Sequence, residues 1–195
     1  MNVLLFALHA AFFAPVVWRL AGRLPFAAPW AHRNAVGGGA VVAPHARPIL
    51  VLHGSGLVLL YVGLLLALDA GSIARAVTGQ GAIGAAIILL ADILMAWSFM
   101  ALRSWRLLPQ VDAGHELSTT GPYGLVRHPM YLAVDLLGVG SAVWVATPVV
   151  ALAAVLLVIG GDLRARAEET VLVEAFADRY RSYMRRVRRT LPGLY

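Results

Sequence analysis

The chain has no cysteine, and its 16 basic residues include no lysine; every one is an arginine. The first absence excludes disulfides, thiolate metal sites and a cysteine nucleophile, and leaves the redox compartment open. The second excludes Schiff-base chemistry on a lysine of this chain. Charge of either sign is scarce. Charged residues fill 13% of the 195 positions and hydrophobic ones 60%, where a soluble domain carries roughly a quarter charged residues. So little polar sequence leaves no room for a soluble nucleotide- or dinucleotide-binding domain. No positive charge precedes the first apolar run, and Arg19 and Arg23 follow it, the reverse of a secretory signal. Val3–Val17 is therefore expected to be a retained membrane span.

Apolar runs cover Val3–Val17, Ile49–Leu68, Ala82–Met100 and Met130–Ile159, and a span needs about 20 such residues. The last run is too long for one crossing: a single helix over it would measure roughly 45 Å against a hydrocarbon core of about 30 Å. Ala146-Thr147-Pro148 offers a break, because proline favours the first turn of a new helix. Two short antiparallel helices are expected. The arginines agree. With five spans, Arg19, Arg23, Arg33, Arg47, Arg103, Arg106, Arg127 and the eight arginines of the C-terminal tail share one side, and Arg75 alone takes the other. That bias puts the tail in the cytoplasm. Val36–Pro48 and Gly71–Gln80 read as loops and Arg103–Arg127 as a longer polar connection, while Trp18, Trp105 and Trp144 stand near span ends as interfacial anchors do. The expected fold class is all-α: a polytopic membrane protein with about five transmembrane helices, the last two a helical hairpin, and a C-terminal cytoplasmic amphipathic helix.

Two segments carry chemistry. In Thr120–Tyr131, Arg127 and His128 stand just ahead of Pro129, at the mouth of an apolar run. Charge at that depth costs free energy unless an opposite charge uses it. Proline at the first helical position leaves neighbouring N–H groups and the positive helix end to an anion. Arg127 and His128 would add to that field, and Tyr123 and Tyr131 offer aromatic faces to a heterocycle or a cation. The second segment, Arg164–Arg189, lacks glycine and proline and reads as one helix. At about 100° per residue, Leu172, Phe176, Tyr180, Tyr183 and Val187 form an apolar arc opposite Arg181, Arg185 and Arg188. Glu169 falls inside the arc; Arg164 and Glu168 line its edge. A carboxylate in an apolar stripe needs a partner, either a protein cation or a ligand with hydroxyls or an ammonium. For Glu169 both remain open. Such an assembly suits a ligand with a carboxylate, a purine, a ribose diol and a positive centre. S-adenosylmethionine has all four, and a nicotinamide dinucleotide shares some.

His115-Glu116-Leu117-Ser118-Thr119-Thr120-Gly121-Pro122-Tyr123, then Arg127-His128-Pro129-Met130-Tyr131, lead after a hairpin to Arg164, Glu168-Glu169, Leu172, Phe176, Tyr180, Tyr183, Val187 and Pro192. In order and spacing this C-terminal half resembles the isoprenylcysteine carboxyl methyltransferase family of membrane enzymes. The resemblance implies one integral membrane methyltransferase domain over 1–195, with three N-terminal transmembrane helices in 1–102 and a cofactor-binding catalytic half in 103–195. It implies S-adenosyl-L-methionine as the cofactor, contacted by His115, Glu116, Leu117, Ser118, Tyr123, His128, Pro129, Met130, Tyr131 and Glu168. Arg164 matches the catalytic position that the family turns towards the methyl acceptor. The chain departs from the family pattern at Ala133, usually glycine, and at Arg188, often proline, and its short upstream loop leaves only Gln110 to match a glutamine contact.

The implied reaction is an in-line displacement on a lipophilic small molecule or prenylated substrate, most simply at a carboxylate. That nucleophile is already ionised, so the protein aligns the reactants and excludes water, worth up to about 7–11 kcal/mol. Arg164 would orient the acceptor by a bidentate contact. A phospholipid amine would need a base as well. Two rivals differ in class. One is an NADPH-dependent sterol-type membrane reductase, whose sequences tend to carry Asn where Met130 stands. The other is a non-enzymatic membrane protein whose basic tail, Arg185–Arg189, binds anionic membrane lipids. Nucleic acid is not an expected partner. Asp92 and Asp135 lie inside apolar spans, where carboxylates are functional suspects, although protonation or bonding through Ser98, Ser141 or His53 would account for them as well. His9, His32, His45 and His53 lack metal-ligand spacing, so no metal is expected.

Overall fold

In hydrocarbon every backbone N–H and C=O has to bond within its own segment, so the apolar runs fold as helices. The computed structural model describes residues 2–21, 41–42, 45–68, 79–102, 110–111 and 117–191. They form α1 (Asn2–Ala21), α2 (Ala46–Leu68), α3 (Gly79–Ala101), a 3-10 turn (Gly121–Gly124), α4 (Pro129–Val145) and α5 (Pro148–Arg186). Three of these, Ala46–Ala67, Gly79–Ala101 and Pro148–Arg186, are long and apolar enough to cross a membrane, and Val3–Trp18 and Pro129–Val145 are shorter apolar helices. The five expected apolar helices are thus all present. Among the described residues, strand structure is confined to an antiparallel pairing of Val41–Val42 with Gln110–Val111, inside stretches expected as connections, and an isolated bridge between Val126 and Arg188.

The break between the last two helices falls where proline placed it. Ala146 adopts a left-handed conformation at φ 51° and closes α4, Thr147 caps α5 by accepting from the Val150 N–H, and Pro148 opens that helix. α3 packs against α1 and α4, and α5 against α2 and α4. Lipid offers no hydrophobic drive for these contacts, so close backbone approach matters more. A Cβ on Gly84 of α3 would lie 2.7 Å from the Gly140 carbonyl and 2.7 Å from the Trp144 Cβ. Trp144 itself is 1% exposed, a core residue and not the interfacial anchor expected, whereas Trp18 is 75% exposed. Trp105 lies outside the described residues. A polar pin links α1 to α4: His9 Nδ1 is 2.9 Å from the Leu5 carbonyl and Nε2 is 3.1 Å from Ser141 Oγ.

The tail departs from the single helix expected over Arg164–Arg189. α5 runs unbroken through Gly160-Gly161, so the tail continues the last apolar helix, and the helix ends at Arg186. Its apolar part ends before Asp162, and the charged residues from there onward carry it out of the hydrocarbon layer. At Ala177 the backbone takes φ 46° and ψ −123°, near the first central position of a type II′ turn. There the chain reverses. A straight helix would separate residues 169 and 186 by about 25 Å, yet Arg189 Nη2 lies 3.0 Å from Glu169 Oε2. The reason is the apolar arc. On a straight helix leaving the membrane it would face water; folded back, Leu172, Tyr180 and Tyr183 bury one another with Leu117, Phe176 and Val187. Ala46 at the start of α2 packs on Val171, and Ser118 donates to the Ala101 carbonyl at the end of α3 at 3.2 Å. The start of α2, the end of α3, the start of α4 and the reversed tail therefore share one end of the bundle.

A non-glycine residue in this backbone region costs on the order of 1–3 kcal/mol, which glycine avoids. Ala177→Gly should raise the thermal unfolding midpoint of the purified protein in detergent; a midpoint unchanged or lowered would mean that Ala177 bears no strain.

Candidate functional site

The mouth of α4 is held by the returning tail. The Arg127 N–H donates to the Arg188 carbonyl at 2.7 Å and the His128 N–H to the Arg189 carbonyl at 2.9 Å. This pairing aligns Arg127, His128 and Arg189 around one carboxylate, that of Glu169, which is 5% exposed. Arg127 reaches its Oε1 through Nη2 at 2.7 Å and Nε at 2.8 Å. Arg189 reaches Oε2 through Nη2 and Nε at 3.0 Å each. His128 Nε2 stands 3.3 Å from Oε1. Arg127 also donates to the carbonyls of Met184 and Val187, and Arg189 lies 3.4 Å from Asp162. Glu169 is thus a structural anchor, which decides the choice the sequence left open. Arg127, expected to add to an anion-binding field, is engaged by this anchor.

Glu168 points elsewhere, being about 100° further round the helix. It accepts from the Tyr131 hydroxyl at 3.0 Å and lies 3.6 Å from His128 Nδ1, both through Oε2, and 35% of its side chain is accessible. His128 therefore stands between two carboxylates with a nitrogen towards each. Burial of the imidazole pushes its pKa down, but Glu168 and Glu169 outweigh burial and hold it above the ordinary 6.5. Burial likewise opposes ionisation of Glu169, and bonds from His128, Arg189 and Arg127 override it to bring the pKa to about 2. Glu168 is also held below the usual range against its burial, by His128, Tyr131 and Arg164.

Tyr131 joins this cluster to Arg164. Its ring stacks on His128 at 5.6 Å between centroids and 19° between planes, and the Arg164 guanidinium carbon sits 5.1 Å from the ring centre. Arg164 Nη1 is 3.4 Å from His53 Nδ1, and His53 meets Tyr131 edge-on at 6.2 Å. The structure therefore brings together Tyr131, His128, Arg164 and Glu168 of the expected set. Pro129 is buried as the first residue of α4, and Met130 packs against the helical core. The Tyr123 carbonyl accepts from the Tyr183 hydroxyl. Leu117 joins the apolar cluster of the tail, and Ser118 donates to the Ala101 carbonyl. His115, Glu116 and the side chain of Gln110 lie outside the described residues. Of the departures from the family pattern, Ala133 is fully buried, and the Arg188 backbone carries the bridge to Val126.

The hydroxyls of Ser98 and Ser141 donate to the Leu94 and Leu137 carbonyls at 2.6 Å each. These two expected partners of Asp92 and Asp135 therefore turn their hydrogens to backbone carbonyls, the third, His53, has Nδ1 at Arg164, and one oxygen of each aspartate is buried without a hydrogen-bond partner among the described residues. Sequence reasoning offered His53 only as a bonding partner for Asp92 or Asp135, and read Arg189 only as part of a basic edge facing lipid headgroups. The signal for His53 was its place inside an apolar helix; nothing local pointed to Arg189.

A model of the phospholipid methyltransferase family matches residues 80–179, just over half of the chain. The match includes α3, the 3-10 turn, α4 and α5 as far as the reversal, and with them Tyr123, His128 to Tyr131, Arg164 and both glutamates. No curated protein matches the chain significantly.

Breaking a buried ion pair by removing one partner costs about 3–5 kcal/mol, so Glu169→Leu should lower the unfolding midpoint sharply. The pH dependence follows from the signs. The raised His128 value makes its contribution complete below 6.5 and drains it as pH rises through that value. The lowered Glu169 value makes its contribution complete above 4.5 and drains it as pH falls towards 2. The midpoint should peak between those limits, and His128→Gln should remove the alkaline decline; a variant that keeps that decline would assign it to another group.

Proposed function

The chain belongs to the phospholipid methyltransferase family, and from that membership we propose that this integral membrane protein uses S-adenosyl-L-methionine to methylate a lipophilic acceptor. One observation carries the reading. Tyr131 binds Glu168 with its hydroxyl at 3.0 Å and carries Arg164 on its ring at 5.1 Å. A carboxylate and a guanidinium one turn apart on α5 are thereby held by one aromatic side chain, the first by its hydroxyl and the second over its ring. Glu168 fits the cofactor chemically: it is ionised, partly accessible, and able to accept from ribose hydroxyls or an ammonium. The cofactor, when bound, supplies an electrophilic methyl group on a sulfonium.

The chain's own residues do the rest. His128 and Tyr131 fix the Glu168 carboxylate, and Tyr131 presents its ring beside the reacting centre. Arg164 orients the acceptor. With a carboxylate acceptor one oxygen stays on the guanidinium while the other attacks in line, and no proton needs to move. This favours the carboxyl specificity of the isoprenylcysteine carboxyl methyltransferase type. Leu117, Ser118, Tyr123, Pro129 and Met130 shape the surrounding wall, with His115 and Glu116 completing it. The whole chain, 1–195, acts as one domain in which the N-terminal helices contribute His53. The arginines gathered at this end of the bundle support a cytoplasmic site, fed by cofactor from the cytosol and by acceptor from the inner leaflet.

A second reading has its own support. The buried Asp135 oxygen without a described partner could take a proton from an amine, which suits a phospholipid headgroup. A labelled methyl-donor assay on lipid extracts, with mass spectrometry of the product, separates ester from amine.

Charge-assisted hydrogen bonds contribute about 1.5–3 kcal/mol, so Glu168→Gln should weaken S-adenosylhomocysteine binding about 10- to 100-fold by isothermal titration. A wild-type protein that releases no heat with this ligand would overturn the cofactor assignment.

A further inference from the structure

We propose that His53 of α2 donates its Nε2–H to the methyl acceptor and so selects an acceptor with an anionic oxygen. The inference rests on the methyltransferase reading above and deepens it by assigning the acceptor subsite. The tautomer follows from the neighbour. Arg164 Nη1 stands 3.4 Å from His53 Nδ1, and a guanidinium has hydrogens to give and no lone pair to receive. Nδ1 therefore presents its lone pair. A second positive charge against the guanidinium is disfavoured, so the ring is neutral and its hydrogen sits on Nε2. His53 is 3% exposed, and Nε2 is buried with no hydrogen-bond partner among the described residues. A buried donor left unmatched costs free energy, and a ligand oxygen would remove that cost.

The location ties this donor to the reacting centre. Gly160, Arg164 and Glu168 follow at four-residue intervals, so they lie on one face of α5 at steps of about 6 Å. A Cβ on Gly160 would lie 2.8 Å from the His53 Cα and 3.2 Å from Cδ2, the carbon next to Nε2. Glycine there lets α2 approach until the imidazole stands level with the first step of that face. The face then reads as acceptor donor, acceptor cation, cofactor carboxylate. Asp135 lies against Gly161, about 100° round the helix, and faces a different side. The two nitrogens of an imidazole diverge, so with Nδ1 on Arg164 the guanidinium meets one oxygen of a carboxylate and the His53 Nε2–H the second, and both donors repel an ammonium. The second oxygen forms the new C–O bond as the methyl–sulfur bond breaks and its electron pair stays on sulfur.

The test uses the full chain in nanodiscs with labelled S-adenosylmethionine and two acceptors, S-farnesyl-N-acetylcysteine as the carboxylate and phosphatidylethanolamine as the amine. Wild type should methylate the carboxylate. His53→Phe should raise KM for it at least tenfold with a smaller change in kcat, and His53→Gln, which keeps an N–H donor, should recover most of the loss. S-adenosylhomocysteine affinity should stay unchanged in both variants. Histidine 15N spectra, with His53 identified by its absence in His53→Gln, should show the Nε2–H tautomer and a shift of that signal on adding the farnesylated acid. An unchanged KM in His53→Phe, an unmoved Nε2 signal, or methylation of phosphatidylethanolamine alone overturns the inference and leaves the cofactor reading standing. Loss of S-adenosylhomocysteine binding in wild type removes both.

Discussion

The carboxylate of Glu169 is the point on which the end of the bundle formed by the α4 mouth and the reversed tail turns. It is taken out of water, and an isolated charge there would be expensive. Arg127 and His128 from the mouth of α4 and Arg189 from beyond the tail reversal meet that demand together. The chain cannot supply all three cations without folding the tail back at Ala177. Once it has folded back, the Val126–Arg188 bridge fixes His128. His128 in turn fixes Glu168, Glu168 fixes Tyr131, and Tyr131 carries Arg164. A charge sealed inside the fold therefore sets the geometry of His128, Glu168, Tyr131 and Arg164.

The bundle beneath obeys different physics. Acyl chains are as apolar as leucine, so burying leucine between helices gains little there, and close packing with occasional polar pins holds the helices instead. Gly84 against Gly140 brings α3 onto α4, and Gly160 brings α5 onto α2. The second contact does more than pack. It delivers a histidine from the N-terminal helices to Arg164 and Tyr131 of the C-terminal ones, although the family match begins only at residue 80.

Adjacent glutamates with unlike roles illustrate how a helix separates functions. Glu168 and Glu169 differ by one residue and about 100° of azimuth. One faces three cations and is internal; the other faces a tyrosine, a histidine and accessible space. The same separation puts His53 beside Gly160 and Asp135 beside Gly161. An acceptor carboxylate and an acceptor amine would thus call on sides of the helix about 100° apart.

Composition, the apolar runs and the proline at 148 were enough to determine five apolar helices, the hairpin break and an amphipathic tail, because each depends only on local backbone bonding and hydropathy. Motif spacing was enough to single out Tyr131, His128, Arg164 and Glu168, since their neighbourhood rests on helical periodicity and on the order of two segments. Tertiary structure alone decided that the tail doubles back, that Trp144 is core, that Arg127 and Arg189 serve Glu169, and that His53 joins the site. Each of these is a contact between segments distant in sequence, and local pattern says nothing about which buried charge a distant cation will neutralise.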